Sequence, residues 1–565
     1  MPINTIHTLK DLFENSVLSY RNHPALGFAG GEPFTYSETE KRFRKMINFL
    51  TLTGIKKGDR VVILSENSPS WAITYFAIVS LGAVAVPVLT DFHVNEIKKI
   101  IDHSGAKTAF VSERFISKLE SCELSHDILV VDIDRLRLIA GSNDDVIRRY
   151  DSKNTEEVTG WEIIPPYQGK LTNPEPEDLA CILYTSGTTG KSKGVMLSHK
   201  NLVFETKQAL TIQEINDNDR FLSVLPLAHT YECTIGLLLP FMQGASIYYL
   251  NKPPSASVLV PMMQKVRPTL MLTVPLIIEK IFKMRIQPKF RNTSILRNLY
   301  SISLFRKLLH RMAGKKLYKM FGGKLHFFGI GGAPLAPEVE QFLIEAKFPY
   351  AIGYGLTETS PLLAGSAPFK TKFRATGPAM EGVSLKLNNP DSLTGEGEIL
   401  AKGDNVMLGY YNEPELTSDV FTRDGWFKTG DLGVFDKDGY LYIKGRLKNM
   451  ILGPSGENIY PEEIEAVINN MDYVSESLVY ELKGKLIAKV HLNYDELEKK
   501  YAHIREEALN LHHNMQQFVN TRMEEIHNKV NEEVNRYSRL HLVVEQVEPF
   551  EKTPTQKIKR YLYLR

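Results

Sequence analysis

Residues 184–195 read YTSGTTGKSKGV. A P-loop requires G-x-x-x-x-G-K-[ST]. With Gly190, Lys191 and Ser192 in place, its first glycine would fall at 185, where the chain carries Thr185. What remains is a glycine- and hydroxyl-rich run, Thr185, Ser186, Gly187, Thr188, Thr189, Gly190, Lys191, Ser192 and Lys193, read as a loop between a strand (ACILY) and a helix beginning near 198. Glycines let backbone N–H groups approach oxyanions, hydroxyls donate to them, and lysines neutralise their charge. A triphosphate is the natural guest of such a loop. The competing reading is an ordinary Gly/Ser-rich surface turn.

A chain of 565 residues exceeds what one core usually supports, so two or more domains are expected. Hydrophobic residues make up 43% and charged residues 24%, which excludes disordered and fibrous classes. A formal charge of +2 implies no nucleic-acid partner, so any polyanion must be met by local groups. Cys122, Cys181 and Cys233 are odd in number and lack a zinc spacing, which argues against a disulfide framework or structural metal and for a reducing, cytoplasmic setting. The opening MPINTIHTLKDLFENS lacks the basic start and apolar run of an export signal. The apolar stretch at 72–89 is broken by Ser80, Gly82 and Pro87 and reads as a buried helix running into a strand rather than a bilayer span. Peripheral contact at the inner membrane face stays open, as does the choice between monomer and homodimer.

Short β-branched runs (RVVIL at 60–64, TAFV at 108–111, ILVV at 128–131, FLSVL at 221–225, ASIYYL at 245–250) alternate with helical patterns and predict α/β layers with largely parallel sheets. Between about 375 and 445, brief strands with Gly, Asn and Asp turns predict a small antiparallel sheet or barrel. Pro461 and the acids after it open a helix, and the strands that follow imply a small α+β domain. Leu497, Tyr501, Ile504, Ala508, Leu511, Met515 and Phe518 are spaced as an amphipathic stripe in a helical segment at about 495–540, expected to pack on that small domain. His503, His512, His513 and His527 belong to its polar face rather than to a metal site.

Six motifs in order carry a family resemblance: YTSGTTGKSKGVMLSH, LPLAHTYE at 225–232, GIGGAPL at 329–335, GYGLTETSP at 353–361, WFKTGDLGVFDKDGYLYIKGRLKN at 426–449 and KTPTQKIKR at 552–560. Together with 54–88 they resemble the adenylate-forming superfamily of acyl-CoA synthetases, luciferases and adenylation domains, most nearly its long-chain fatty acid CoA ligases. The resemblance implies an N-terminal adenylation domain at 1–447, with α/β subdomains to about 350 and a small β-barrel subdomain to 447. A mobile α+β C-terminal domain would follow at 448–565, hinged at Lys448. The implied substrates are a fatty acid, ATP and coenzyme A, with Mg²⁺, giving acyl-CoA, AMP and pyrophosphate through an acyl-adenylate.

The same resemblance assigns roles. The 185–193 loop would hold the β- and γ-phosphates, Thr357 the α-phosphate and Glu358 the Mg²⁺. Tyr354 and Gly355 would lie at the adenine. Gly331, Gly332 and Ala333 would let the backbone pass close to adenine and acyl group. Asp431 and Arg446 would contact the ribose. Lys557 would bridge carboxylate and α-phosphate as the two anions meet, although Gln556 stands where the family usually has glycine. His229 would gate the acyl end, and Gly456 would keep a thiol channel open. Gly236, Leu237, Leu238 and Phe328 suit an alkyl tunnel or an ordinary core. Three other readings stand beside this one: transfer to a carrier-protein thiol, a non-catalytic acyl or nucleotide binder, and an ADP-forming ATPase disfavoured by the missing P-loop.

Overall fold

A computed structural model describes residues 5–124, 128–141, 159–171, 173–186, 192–291, 298, 300–453, 457–495, 497, 511–553 and 557–564; the side chains of Ser186, Arg291 and residues 511–516 also lie outside the description. Two eight-stranded sheets dominate. In the first, six parallel strands run in the order Tyr350–Gly355, Phe327–Ile330, Leu270–Thr273, Arg220–Ser223, Ser246–Tyr249 and Pro24–Phe28, with antiparallel strands at both edges. The second centres on the parallel strands Leu179–Ser186, Val84–Pro87, Arg60–Leu64, Thr108–Val111 and Leu129–Asp132, again with antiparallel edges. Apolar β-branched runs such as RVVIL are buried at nearly every position because both faces of these strands are covered.

The helix Pro69–Ser80 shows why the 72–89 stretch is so apolar. Its residues are buried on all sides except at Ser70, among core side chains from both sheets. Ser68 caps it by accepting from the Trp71 N–H at 3.1 Å, and Pro69 supplies a φ already suited to a first turn.

Two expectations change. The segment after ACILY does not lead straight into a helix. Ser192–Ser198 is a strand that pairs antiparallel with Leu179–Ser186, Thr185 facing Lys193, so the glycine-rich run connects a hairpin. The helix His199–Gln208 follows, with Ser198 and Asn201 forming a reciprocal cap. The expected small barrel is an open four-stranded sheet, Ser384–Asn388, Gly397–Lys402, Phe427–Phe435 and Leu441–Arg446, whose outer strands do not pair with each other. Four strands are too few to close around a filled interior.

The C-terminal residues build their own core. Helix Pro461–Asn469 and helix Leu511–Glu533 cover a sheet of Val474–Leu482, Lys485–Leu492 and Leu542–Glu545, with Ile464, Ile468, Val519, Met523, Ile526 and Val530 buried together. The long helix thus packs on the small sheet. Tyr501, Ile504, Ala508 and His503 lie outside the described residues, as do the side chains of Leu511, Met515, His512 and His513. His527 bonds the Leu540 carbonyl at 2.9 Å. Among the described residues the three cysteines are buried and unpaired, no helix is long and apolar enough to cross a membrane, and no cluster of three metal-ligating side chains occurs.

Candidate active site

Four adjacent parallel strands of the first sheet end at one crevice. After Ser223 comes the segment holding His229. After Thr273 comes Val274, after Ile330 the turn Gly331–Ala333, and after Gly355 the turn Thr357–Thr359. Ligand crevices of open α/β sheets lie outside the carboxyl ends of such strands. An apolar cavity of about 30 Å³ bounded by Phe221, Leu270 and Phe327 sits at the opposite, amino ends and plays no part here.

Glycine decides the backbone path. A Cβ on Gly355 would fall 1.8 Å from the Pro361 carbonyl oxygen, so the strand can pass that turn only without a side chain. Gly331 runs 3.2 Å from the Tyr231 ring on the same measure, and Gly332 has φ +86°. Ala333 follows as an exposed residue.

Asp431 and Arg446 are cross-strand partners in the open sheet, and Arg446 Nε lies 2.8 Å from Asp431 Oδ1. Tyr354 Oη donates to Asp431 Oδ2 at 2.7 Å. Burial raises the Asp431 pKa while Arg446 and Tyr354 oppose the rise. Glu358 accepts from Tyr410 Oη at 2.9 Å on Oε1. Its Oε2 has no hydrogen-bond partner among the described residues, and neither has the Thr357 hydroxyl. Lys193 stands over the Tyr410 ring, its ammonium 5.0 Å from the centroid.

Lysines complete the constellation. Lys448, in the short turn Leu447–Asn449, is depressed by loss of hydration and by Arg446 and Lys193. Lys557 comes from the far end of the chain. Loss of hydration and Arg446 lower its pKa, and Asp431 and Glu358 partly restore it. Its side chain is exposed at the crevice rim, but protein surrounds its ammonium at longer range, and that crowding strips solvation. His229 is held neutral, its pKa pushed down to about 4 by burial and by Lys557. Lys193, Arg446 with Lys448, and Lys557 therefore converge from three separate segments on Glu358 and Asp431. Four cations against two carboxylates form a receptor for a polyanion.

Of the residues singled out in the sequence, Thr185, Lys193, His229, Gly331, Gly332, Ala333, Tyr354, Gly355, Thr357, Glu358, Asp431, Arg446, Lys448 and Lys557 lie on the elements around this crevice. Gly187, Thr188, Thr189, Gly190, Lys191, Gly456 and Gln556 lie outside the described residues, and Ser186 is described only in its backbone. Leu237, Leu238 and Phe328 are fully buried in close-packed core, and a Cβ on Gly236 would meet the Glu232 carboxyl at 2.9 Å. Tyr410 and Tyr231 were not anticipated. Tyr410 reaches the site through its pairing with Val195, two residues from Lys193, a register no local pattern announces.

Residues 13–411 match the family described as AMP-binding enzyme. Similar proteins include the long-chain-fatty-acid–CoA ligase heimdall of Drosophila melanogaster, 28% identical over 82% of this chain and 72% of that one. A 4-coumarate–CoA ligase of Vanilla planifolia is 28% identical over 97% of this chain and 91% of its own. The long-chain-fatty-acid–CoA ligase FadD15 of Mycobacterium bovis is 30% identical over 79% and 74%. Among solved structures, ATP-bound MatB of Rhodopseudomonas palustris superposes with a TM-score of 0.74 at 22% identity, covering 99% of this chain and 98% of that one. MenE of Bacillus subtilis, in complex with ATP and magnesium ion, gives 0.75 at 21%, covering 98% of each. The shared fold, the motif order and the converging charges lead to one conclusion: this chain is an adenylate-forming member of the AMP-binding enzyme family, on the side occupied by acyl- and aryl-CoA ligases.

Proposed function

We propose that the protein converts a long-chain fatty acid, ATP and CoA into acyl-CoA, AMP and pyrophosphate. The observation that carries the activation step is the convergence of Lys193, Arg446, Lys448 and Lys557 on Glu358 and Asp431. A carboxylate resists substitution because its leaving group would be oxide. Its oxygen attacks the α-phosphorus of ATP, the bond to the α,β-bridging oxygen breaks, and pyrophosphate departs with the electron pair. Lys557 would offset charge as the two anions meet, and Thr357 would offer a hydroxyl to the α-phosphate. Asp431, oriented by Tyr354 and Arg446, presents its remaining lone pairs to the ribose hydroxyls.

Glu358 is the one carboxylate at the strand turn with an oxygen free of protein hydrogen bonds among the described residues. One carboxylate suits Mg²⁺, which keeps several waters and takes its other ligands from phosphates. The ion, when bound, would neutralise phosphate charge and align the leaving group. In the second half-reaction the CoA thiol gives up its proton to solvent, its sulfur attacks the adenylate's carbonyl carbon, and AMP leaves with the electron pair of the broken acyl–oxygen bond. This step calls for the C-terminal part to turn about Lys448, withdraw Lys557 and bring the segment holding Gly456 to the thiol.

Long alkyl acids are favoured by the similarity to heimdall and FadD15, and by LPLAHTYE and VPLIIEKIF in this sequence. Similarity to 4-coumarate–CoA ligases makes aryl acids the comparison that matters. Pyrophosphate release is measured with MgATP and a panel of fatty, aryl and amino acids, with and without CoA. Fatty acids should prevail, by about 0.8 kcal/mol per methylene buried. Preference for 4-coumarate would replace the fatty-acid assignment, ADP instead of AMP would overturn activation itself, and a thioester formed only on a carrier protein would move the acceptor. A cytoplasmic location, with contact at the inner membrane face, belongs to the same proposal.

A further inference from the structure

Between Lys280 and Pro337 the chain carries thirteen Lys and Arg and no Asp or Glu. The whole molecule is only +2, so everything outside this segment is net acidic. Such segregation within 58 consecutive residues is a feature of the sequence that the total conceals.

The helix Ser303–Met320 lies in this segment. It turns His310, Gly314 and Leu317 inward and is anchored by Arg306, whose guanidinium lies 2.8 Å from the buried Glu345. Its opposite face is not a polar one. Leu304, Phe305, Leu308 and Met312 follow a helical stripe and are exposed, Leu304 at 76%. Ile302, just before the helix, and Met284, also 76% exposed, extend the apolar surface. Met284 lies on the turn Phe282–Ile286, whose neighbour Arg285 reaches Met320 at the helix end, 4.0 Å from its sulfur. Phe290 stacks on Tyr300 and Tyr300 bonds His310, so the two elements form one face. Lys307, Arg311, Lys315, Lys316 and Lys319 surround or continue the stripe, and among the described residues none of them pairs with a carboxylate.

We propose that this face docks the enzyme on an anionic lipid bilayer, the apolar stripe entering the headgroup and acyl boundary while the lysines and arginines meet lipid phosphates. Apolar side chains set among unpaired cations are the pattern of helices that lie in a membrane interface. A second copy of this chain would set cations against cations. A nucleic acid would answer the charge but leave Leu304 and Leu308 without an apolar partner. The docking elements also abut the crevice: Gln287 bonds Glu338 at 3.0 Å, and Glu279 accepts from the Ala336 N–H at 2.8 Å, just beyond Gly331–Ala333. This inference gives the membrane contact proposed above its surface and its lipid chemistry, and it holds for either acid class because it does not rest on the reaction.

The full-length protein is floated with phosphatidylcholine vesicles, with or without roughly a third phosphatidylglycerol. Binding is expected only with the anionic lipid and should be released at about 0.5 M salt. Leu304→Asp and Leu308→Asp should each weaken binding at least tenfold, roughly the worth of one buried leucine. The triple Lys315→Gln, Lys316→Gln, Lys319→Gln should weaken it about a hundredfold for phosphatidylglycerol vesicles. All variants should keep their activity on a water-soluble acid, which certifies the fold independently. No binding to anionic vesicles at low salt would overturn the proposal, as would binding indifferent to the leucine changes. It also fails if a dimer found by sedimentation dissociates on Leu304→Asp, or if duplex DNA binds with equal strength to wild type and leucine variants.

Discussion

Lys557 and Glu232 show how loss of hydration is used for opposite ends. Lys557 is a cation kept poorly solvated beside Arg446, so it gains most when an anion arrives. Lys557→Ala should lower pyrophosphate release by about a hundredfold or more while thioester formation from supplied acyl-adenylate survives. Equal loss of both half-reactions would remove the lysine from the first step. Glu232 lies behind the site, taking the Ser223 hydroxyl at 2.5 Å, with Tyr231, Tyr249 and Cys233, all neutral, as its titratable neighbours. Burial pushes its pKa up to about 8. A carboxyl raised above its unfolded value contributes stability that is whole below about pH 4.5 and drains away as pH rises through about 8. Glu232→Gln should flatten that decline, gaining roughly 3 kcal/mol relative to wild type between pH 5 and pH 8 in urea unfolding. Asp431, Arg446 and Glu358 were legible because each sits in a long motif. Tyr410 was not, since its importance comes from what a distant segment brings against it, and Glu232, although it closes LPLAHTYE, gave no sign in the sequence of its complete burial.

At the scale of elements, the tips of the strands carry the chemistry, and glycine sets how closely they pass. Gly355→Ala drives a Cβ into the Pro361 carbonyl and should displace the Thr357–Thr359 turn, costing about 3 kcal/mol and most adenylation activity. Gly439→Ala is the control. Its φ is positive, +79°, but it opens on free space, so it should cost only about 1 kcal/mol and spare the activity. Urea midpoints and pyrophosphate release on both variants test the contrast. The parallel strands could be read from RVVIL and TAFV because burial on both faces leaves an unbroken apolar run. The strand Ser192–Ser198 was hidden because its first residues belong to the phosphate-loop motif and the periodic part that follows is short. The barrel was an over-reading of turn-rich sequence, which specifies antiparallel strands but not closure.

Across the whole molecule, the C-terminal part is seated on the open sheet by a few polar contacts. Tyr460 Oη donates to Glu396 Oε2 at 2.5 Å, and Lys444, held 3.2 Å from the same carboxylate, also lies 4.0 Å from Glu463. Glu396→Ala should loosen the seat that brings Lys557 to the crevice. Pyrophosphate release should fall about tenfold, the worth of one charged hydrogen bond, with thioester formation from acyl-adenylate unchanged. Stopped-flow assays of the two half-reactions separate these outcomes. The order of motifs made the global architecture readable, but the basic face at 280–337 escaped notice because a near-neutral sum averages it against acidic surface elsewhere.

The excess of positive groups around Glu358 and Asp431 also bears on handling the protein. Like charges held together by the fold strain it, and any compact multivalent anion relieves that strain whether or not it reacts. Inorganic tripolyphosphate, offered without acid or thiol, should add RT ln(1 + [L]/Kd) to the unfolding free energy and so raise the melting temperature, whereas equal ionic strength as sodium chloride should not. Buffer choice thereby becomes a hidden variable: a preparation in phosphate will look sturdier than the same preparation in chloride.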